Sequence, residues 1–245
     1  MRLASADGPD VLCLQEVPGW VSSQLADWSG MQAYTDLAQT PRFGPVPIPV
    51  ALGREITSLH HGLFRSAFAG QANAILLGAQ AEVLGRDWLV LNSRDFREAQ
   101  SRFLSLPLVA RLAWAKERRI VQVVRARFPD GPTLAVANLH ATGYAPDQRL
   151  ADAELLRAAV FADGLAQPGD VVVIAGDFNV PASRSATQDE LTAEDWGFSQ
   201  PAAEGIDQVI VRGASVAGVM RWPADRRRID GRLLSDHAPV EARVK

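Results

Sequence analysis

The sequence predicts an α+β fold in which two β-sheets pack face to face and helices cover the outside. Many short strand patterns with few helical ones favour this class. The clearest strand is residues 171–175, an apolar, mostly β-branched run that leads directly into the sequence GDFN. Such a run is typical of a strand buried on both faces. Strand patterns at 120–128 and 133–139 flank the turn sequence PDGP, which predicts a hairpin.

The other regular elements follow from apolar periodicity. Further strands are predicted at 11–14, 73–77, 81–84, 88–91, 206–211 and 240–244. A short helix is predicted over 18–28, with Pro18 in its first turn. The longest helix is predicted over 147–166, with Asp147 available as N-cap. The apolar residues assigned to the core face of this helix are Leu150, Ala153, Leu156, Val160 and Phe161.

Three segments carry weaker signals. Residues 41–62 are rich in proline and glycine and predict an irregular loop, either the rim of a site or a spacer. The adjacent histidines 60 and 61 at its end point in different directions and make a poor metal site. Residues 182–204 are polar and are predicted to form a loop, and 92–108 has no assignable pattern.

The composition limits the classes of function. The chain has 245 residues, 47% of them hydrophobic, enough for one large domain with a sizeable core. A formal net charge of −3 argues against tight, non-specific binding of duplex nucleic acid. The single cysteine, Cys13, excludes an internal disulfide and lies in an apolar run that predicts burial. Because neither a membrane-spanning run nor a signal-peptide pattern is present, we expect a soluble, cytoplasmic protein.

Polar side chains follow the clearest strand. Asp177 and Asn179 lie just past its carboxyl end, where sites collect in open α/β sheets. A carboxylate and an amide oxygen at this spacing are hard ligands that suit Mg²⁺ or Mn²⁺ together with a phosphate group. The alternative interpretation is a strand followed by an Asx turn with no ligand.

Other polar residues also end or interrupt apolar runs, and together they predict one site. The full set is Glu16, His140, Asp177, Asn179, Asp207, Asp236 and His237. Cleavage of a phosphate ester requires a cation, which carboxylates such as Glu16 and Asp236 would hold. It also requires a group that moves a proton or stabilises charge, and an imidazole held by a carboxylate does so. Asp207 is the candidate partner of His237, and Glu117 is a weaker candidate partner of His140.

Five segments in order resemble the endonuclease/exonuclease/phosphatase superfamily, which has the deoxyribonuclease-I-like fold: LQEV (14–17), NLHAT (138–142), GDFNVP (176–181), IDQVIV (206–211) and SDHAPV (235–240). The resemblance covers residues 11 to 245 and implies a four-layer α/β sandwich of two mixed sheets flanked by helices. It also implies hydrolysis of phosphodiesters or phosphomonoesters that depends on Mg²⁺ or Mn²⁺.

The resemblance also implies a role for each residue of the set. Glu16 would be the main metal ligand, and Asp236 would support the metal or the histidine. Asp177 and Asn179 would position the attacking water and the phosphate. His237, oriented by Asp207, would be general base or phosphate stabiliser, and His140 would act at the phosphate or the leaving group. The residue that deprotonates the water stays open between Asp177 and His237.

One departure from the family pattern affects the expected activity. The family normally begins with a strand that carries an asparagine of the metal-site network, and here Met1 precedes residue 11 by only ten positions. We therefore expect a single domain over 1–245 without this strand, with truncation of the sequence as the favoured explanation. The alternative function is a non-catalytic phosphate-binding module on the same fold.

The residues leave the substrate class open. Arg221 and the run 226–228, with Trp222, would contact a nucleic-acid backbone or form a solvated face. Small phosphodiesters, lipid head groups and inositol phosphates are equally compatible with the acidic net charge.

Overall fold

The computed structural model describes residues 1–40, 42–43, 46–49 and 70–245. Most of the loop predicted at 41–62, including both of its histidines, therefore lies outside the described residues. The described helices are α1 (Arg2–Ser5), α2 (Leu25–Ser29), α3 (Arg94–Phe103), α4 (Leu108–Lys116), α5 (Arg149–Leu165) and α6 (Ala186–Leu191). None of the described helices is long and apolar enough to cross a membrane.

The described strands are β1 (Val11–Val17), β2 (Gln32–Gln39), β3 (Arg42–Phe43), β4 (Val46–Pro47), β5 (Gln71–Leu77), β6 (Glu82–Val90), β7 (Ile120–Arg127), β8 (Thr133–His140), β9 (Val171–Asp177), β10 (Asp207–Arg212), β11 (Val216–Arg221), β12 (Arg228–Ile229), β13 (Arg232–Leu233) and β14 (Val240–Val244). One sheet has three strands in the order β1-β5-β2, and another has five in the order β10-β9-β8-β7-β6. Strands β8 and β9 are parallel, and their other neighbours are antiparallel. The remaining strands pair as β3-β4, β11-β14 and β12-β13.

Successive side chains along each strand point to opposite faces of the sheet, and each face packs in a different layer of the core. In β5, Ala72 and Leu76 pack with Leu25 of α2, whereas Ile75 and Leu77 pack against the five-stranded sheet. Residues two apart share a face of a strand, so each sheet has one face for helices and one for its partner sheet. The opposite face of the five-stranded sheet packs against α5. The order of helix, sheet, sheet and helix confirms the predicted α+β sandwich.

Two predicted elements differ in the structure. The strands predicted at 81–84 and 88–91 are the single strand β6, which passes through Gly85 at a change of register with β7. Glycine in a strand often marks such an irregularity rather than an end. The helix predicted over 18–28 is a 3₁₀ turn at Ser22–Gln24 followed by α2.

Helices also occur where the sequence predicted none. The unassigned segment 92–108 contains α3 and the start of α4, and the predicted loop 182–204 contains α6. The first turn of α6 is capped by Ser185, whose Oγ accepts a hydrogen bond of 2.9 Å from the backbone N–H of Gln188.

Helix α5 presents a different face to the sheet from the one predicted. Leu156 and Val160, which the apolar periodicity places in the core, are 39% and 55% exposed. Asp147 is not the N-cap, a position occupied by Gln148, although it accepts a hydrogen bond from the backbone N–H of Arg149. Small residues dominate the buried face, which consists of Leu150, Ala151, Glu154, Leu155, Ala158, Ala159 and Ala162. Alanine on the buried face lets the helix approach the sheet closely. The prediction relied on the larger apolar side chains, and it therefore selected the wrong face.

A carboxylate lies within this buried face. Oε1 of Glu154 accepts hydrogen bonds from Nε1 of Trp114 at 2.5 Å and from Oγ1 of Thr142 at 2.8 Å. Its Oε2 accepts from the backbone N–H of Thr142 at 2.6 Å. Burial raises the pKa of Glu154 to about 7, although the three hydrogen bonds lower it. Glu154 therefore connects α4 and α5 to the loop that follows β8.

Gly176 lies where β9 passes close to the backbone of β8. Its φ is +138°, and a Cβ there would lie 2.0 Å from the carbonyl oxygen of Leu139. We expect Gly176→Ala to lower the free energy of unfolding by about 2–4 kcal/mol, because the strand backbone must shift. In the control Gly164→Ala, the added Cβ meets nothing within 4 Å. That change in α5 is expected to raise stability by up to about 1 kcal/mol. Urea unfolding measures both variants, and equal stability of Gly176→Ala and the unmodified protein would contradict the close-approach argument.

Candidate active site

Three predicted site residues lie where neighbouring strands begin or end. His140, the last residue of β8, is opposite Asp177, the last residue of the parallel strand β9. Asp207, the first residue of β10, is opposite Asp177 on the other side. Adjacent strands therefore bring one imidazole and two carboxylates to the same end of the five-stranded sheet.

Glu16 reaches this point from the three-stranded sheet. It lies in a bulge of β1 between Leu14 and Val17, with a φ of 55°. A bulge redirects a side chain away from the regular alternation of the strand. Oε1 of Glu16 lies 3.9 Å from Nε2 of His140, and Oδ2 of Asp177 lies 3.6 Å from the same nitrogen. The two sheets thus supply one carboxylate each to His140.

Two buried asparagines join the sheets behind this group. Nδ2 of Asn138, in β8, donates to the carbonyl oxygen of Leu14 at 2.9 Å, and its Oδ1 accepts from Nε2 of Gln15 at 2.6 Å. Nδ2 of Asn73, in β5, donates to the carbonyl oxygen of Asn138 at 3.3 Å. Buried amides rarely lack hydrogen bonds, and here those bonds fix the bulge of β1 against the end of β8.

His140 is buried in a setting that keeps it uncharged. Nη1 of Arg119 lies 2.9 Å from each ring nitrogen, so the nitrogen that accepts its hydrogen bond carries no proton. Burial, followed by the charges of Arg119 and His237, lowers the pKa of His140 to about 3. Nε2 lies 3.6 and 3.9 Å from the two carboxylates, beyond hydrogen-bond distance. We assign the ring proton to Nε2 because it faces these carboxylates, which leaves Nδ1 to accept from Arg119.

Glu117, the predicted partner of His140, bonds to Arg119 instead. Nη2 of Arg119 donates to Oε2 of Glu117 at 2.6 Å. The predicted direct pair is therefore wrong, because the arginine stands between the two residues. Sequence reasoning missed Arg119, and its only signal was an arginine directly before the buried start of β7.

The turn after β9 fixes Asp177 and Asn179. The backbone N–H of Asn179 donates to Oδ1 of Asp177 at 2.9 Å, so the Asx turn considered from the sequence is present. Asn179 has a φ of 51°, and its Nδ2 donates to the carbonyl oxygen of Ala141 at 2.9 Å. Burial, with a smaller contribution from the charge of Asp207, raises the pKa of Asp177 to about 6.

His237 is paired with Asp207. Its Nδ1 lies 2.9 Å from Oδ1 of Asp207, and this hydrogen bond raises the pKa of His237. Oδ1 of Asp236 accepts a hydrogen bond of 3.2 Å from the backbone N–H of His237. Among the described residues, the close group of acids and histidine consists of Asp177, Asp207 and His237, with ligand atoms within 4.8 Å of one another. Asp236 is not part of that group.

An arginine holds the loop that carries His237. Nη1 of Arg227 donates to the carbonyl oxygens of Ser235 and His237 at 2.9 and 2.8 Å. The neighbouring arginines also have internal partners: Arg221 (carbonyl of Glu204), Arg226 (Asp7 and Glu241) and Arg228 (carbonyl of Gly231). The basic run therefore contributes to the packing of this end of the chain.

The acids of the site suit an oxygen-preferring divalent cation. Mg²⁺ is usually bound by one or two carboxylates and keeps several waters. The side chain of Glu16 is 62% exposed and that of Asp177 only 10%, so a cation held by Glu16 would keep access to water. Asp207 and His237 already bond to each other, which favours an oriented histidine–carboxylate pair over two ligands of one ion.

Known structures share the fold of this chain. A search among curated proteins gives no match. Among solved structures, a functionally unknown conserved protein from Enterococcus faecalis V583 has a TM-score of 0.66 at 15% identity, covering 100% of this chain and 88% of that chain. An endonuclease/exonuclease/phosphatase from Bacteroides vulgatus gives 0.64 at 14%, covering 100% and 87%. A humanized D. rerio TDP2 gives 0.63 at 13%, covering 100% and 92%.

These structural likenesses establish the deoxyribonuclease-I-like fold. The family model described as "Endonuclease/Exonuclease/phosphatase family" matches residues 1–237. That family includes metal-dependent phosphodiesterases, nucleases and phosphatases, and its enzymes generally use divalent metals. The chain therefore belongs to the endonuclease/exonuclease/phosphatase family.

Proposed function

We propose that the protein is a divalent-metal-dependent hydrolase of phosphodiesters. One observation carries the proposal: the ionisable residues converge on Asp177. Its carboxylate lies 3.6 Å from Nε2 of His140, and its ligand atom lies within 4.8 Å of those of Asp207 and His237. A cation-holding acid, a base and a cationic imidazole within one small space match the needs of phosphoryl chemistry.

Glu16 is the proposed ligand of the cation, with Asp177 beside it. When bound, the cation supplies positive charge that stabilises the charge developing on the phosphoryl oxygens. Asp236 is proposed to act on His237, because its carboxylate bonds to the backbone of that residue and its charge raises the pKa of the imidazole.

Asp177 is the proposed general base. Its raised pKa, about 6, brings its basicity close to neutral pH, where a general base works best. The hydrogen bond to Asp207 also raises the pKa of His237, which favours the charged imidazole, and a charged imidazole cannot accept a proton from water. We therefore assign proton abstraction from water to Asp177 and stabilisation of a phosphoryl oxygen to His237.

His140 is proposed to contact the substrate, and Asn179 to position the turn that carries Asp177. An uncharged His140 with its proton on Nε2 donates a hydrogen bond toward the phosphate or the leaving oxygen without competing for a proton. Asn179 holds the loop after β8 through its bond to the carbonyl of Ala141. Its left-handed backbone fixes the turn that carries the general base.

The test is hydrolysis of bis(4-nitrophenyl) phosphate in the presence of Mg²⁺ or Mn²⁺. Chelation is expected to abolish turnover, and Glu16→Gln and His237→Gln are each expected to lower kcat/KM by about 10²-fold or more. Glu82→Gln, at an exposed acid of β6, is the matched control and should retain activity. Activity that survives chelation and both site variants would overturn the proposal. Binding of a phosphodiester without turnover, and without rescue by Mn²⁺, would support the binding-module alternative instead.

A further inference from the structure

The turn between α3 and α4 exposes an unusual amount of apolar surface. Phe103, Leu108, Val109 and Leu112 are 81%, 67%, 66% and 63% exposed, and we call this set the apolar ridge. The buried side of α4 is formed by Ala110 and Trp114, so the ridge is not part of the core. Single exposed apolar residues are ordinary, whereas four close together in sequence on one helical hairpin indicate a binding surface.

Exposed basic residues lie next to the apolar ridge. Arg102 directly precedes Phe103, Arg111 follows Leu108 by three positions on α4, and both arginines are exposed. Residues three apart lie on the same side of a helix, so Arg111 borders the apolar face of α4. Residues 94–118 carry a net charge of +3 in a chain of net −3, without the buried Arg119, which belongs to the candidate active site. The basic residues are Arg94, Arg97, Arg102, Arg111, Lys116 and Arg118, and the acidic ones are Asp95, Glu98 and Glu117.

The hairpin lies at the same end of the sheet as the candidate active site. Strand register pairs Val90, the last residue of β6 before α3, with Ile120, and it pairs Val121 with Leu139, next to His140. Arg119, which follows α4, contacts His140 directly. A surface that binds the apolar ridge would therefore lie beside the active site.

We propose that the apolar ridge docks the protein onto anionic lipid membranes as a peripheral protein. An apolar face with basic residues at its rim is the pattern of interfacial helices: the aliphatic and aromatic side chains enter the headgroup–acyl boundary, and the arginines meet anionic head groups. Nucleic acid would use the arginines but would leave the leucine and valine side chains without a partner. A second copy of the chain would bring two surfaces of like charge together.

The test is co-sedimentation with vesicles in the presence of a chelator, so that the outcome does not depend on hydrolysis. The protein should bind vesicles of phosphatidylcholine and phosphatidylglycerol in equal parts, and bind phosphatidylcholine alone at least tenfold more weakly. The variant Leu108→Ser/Val109→Ser/Leu112→Ser should lower the partition coefficient more than tenfold. Each of Arg102→Gln and Arg111→Gln should lower it about fivefold, as expected for one cationic side chain at an anionic surface.

The matched control is Leu156→Ser/Val160→Ser on α5, which removes exposed apolar residues from another face. This control should bind vesicles like the unmodified protein, and circular dichroism should show that all variants are folded. Absence of binding to anionic vesicles, or an equal loss in the control, overturns the proposal. Two further results, each without vesicle binding, would also overturn the proposal. One is binding of an oligonucleotide that Arg102→Gln or Arg111→Gln removes, and the other is a dimer that the triple serine variant of the apolar ridge dissociates.

Discussion

Replacing Asp177 with asparagine is expected to lower kcat/KM for bis(4-nitrophenyl) phosphate by about 10²–10⁴-fold, the usual contribution of a general base. Asparagine keeps the oxygen that accepts from the backbone N–H of Asn179, so the Asx turn should survive. It cannot take a proton from water. Steady-state kinetics at saturating Mg²⁺ measures the loss, and a fall of less than tenfold would exclude Asp177 as the base and favour His237.

The same substitution should stabilise the metal-free protein. The folded-state pKa of Asp177, about 6, lies above its ordinary value of 3.8, so the native state binds the proton more tightly than the unfolded state. Stability therefore falls as pH rises from about 3.8 to 6, and the penalty is complete above pH 6. Removing the charge should raise the free energy of unfolding at pH 8 by on the order of 2 kcal/mol, with no gain below pH 3.8. Asp130→Asn, in the turn between β7 and β8, is the control and should change stability at neither pH.

Replacing Glu154 with leucine is expected to lower the free energy of unfolding at pH 5 by about 3–5 kcal/mol. The leucine would leave three buried donors without an acceptor, each worth roughly 1–3 kcal/mol. They are Nε1–H of Trp114 and the backbone and hydroxyl donors of Thr142. Urea unfolding measures the change, and a loss of less than 1 kcal/mol would show that these donors find other partners.

Glu154→Gln removes the charge at the same position and keeps one of the two acceptor oxygens. The pKa of Glu154 is raised from 4.5 to about 7, so the contribution of this residue to stability falls as pH rises through that window. The amide NH2 of glutamine would face at least one of the three donors, so we expect a loss of about 1–3 kcal/mol relative to the unmodified protein at pH 5 and a smaller loss at pH 8, where the unmodified acid is charged. The measurement is the difference in free energy of unfolding between the two proteins at each pH. Asp177 and His140 also change stability over this pH range, in opposite directions, and their effects cancel in that difference. A difference that does not change with pH would contradict the raised pKa.

The sequence predicts the strands near the site well because these strands are buried on both faces and therefore consist of continuous apolar runs. The run 171–175 has no polar residue, and β9 contains it with two added residues at its end. Polar residues that terminate such runs are costly to bury without partners, which is why His140, Asp177 and Asp207 were identifiable. Their meeting at one end of a sheet depends on strand order, which apolar patterns do not encode.

Other elements were missed for particular physical reasons. Strand β2 has half-buried residues almost throughout, so it shows no clear alternation of apolar and polar positions. The α3–α4 hairpin places large apolar residues outward, which obscures the helical period. In α5, alanines face the sheet while Leu156 and Val160 face solvent, so size-weighted periodicity points to the wrong side.

The environment of the site depends on contacts between distant segments. The bulge at Glu16 needs the register of β1 with β5, and the uncharged state of His140 needs Arg119. Asn138 bonds to Leu14, which lies 124 positions earlier in the chain. No local pattern marks such pairs, although polar residues inside buried strands are the nearest available signal.

The position of His237 depends on Arg227, which lies next to the short β12–β13 hairpin. One guanidinium secures the chain on both sides of Asp236, and the short β12–β13 hairpin beside it is exposed. Segments with few buried apolar contacts open locally at a lower free energy than the whole domain. Warming would therefore detach His237 from Asp207 while both sheets stay intact, so heat inactivation would precede the loss of secondary structure.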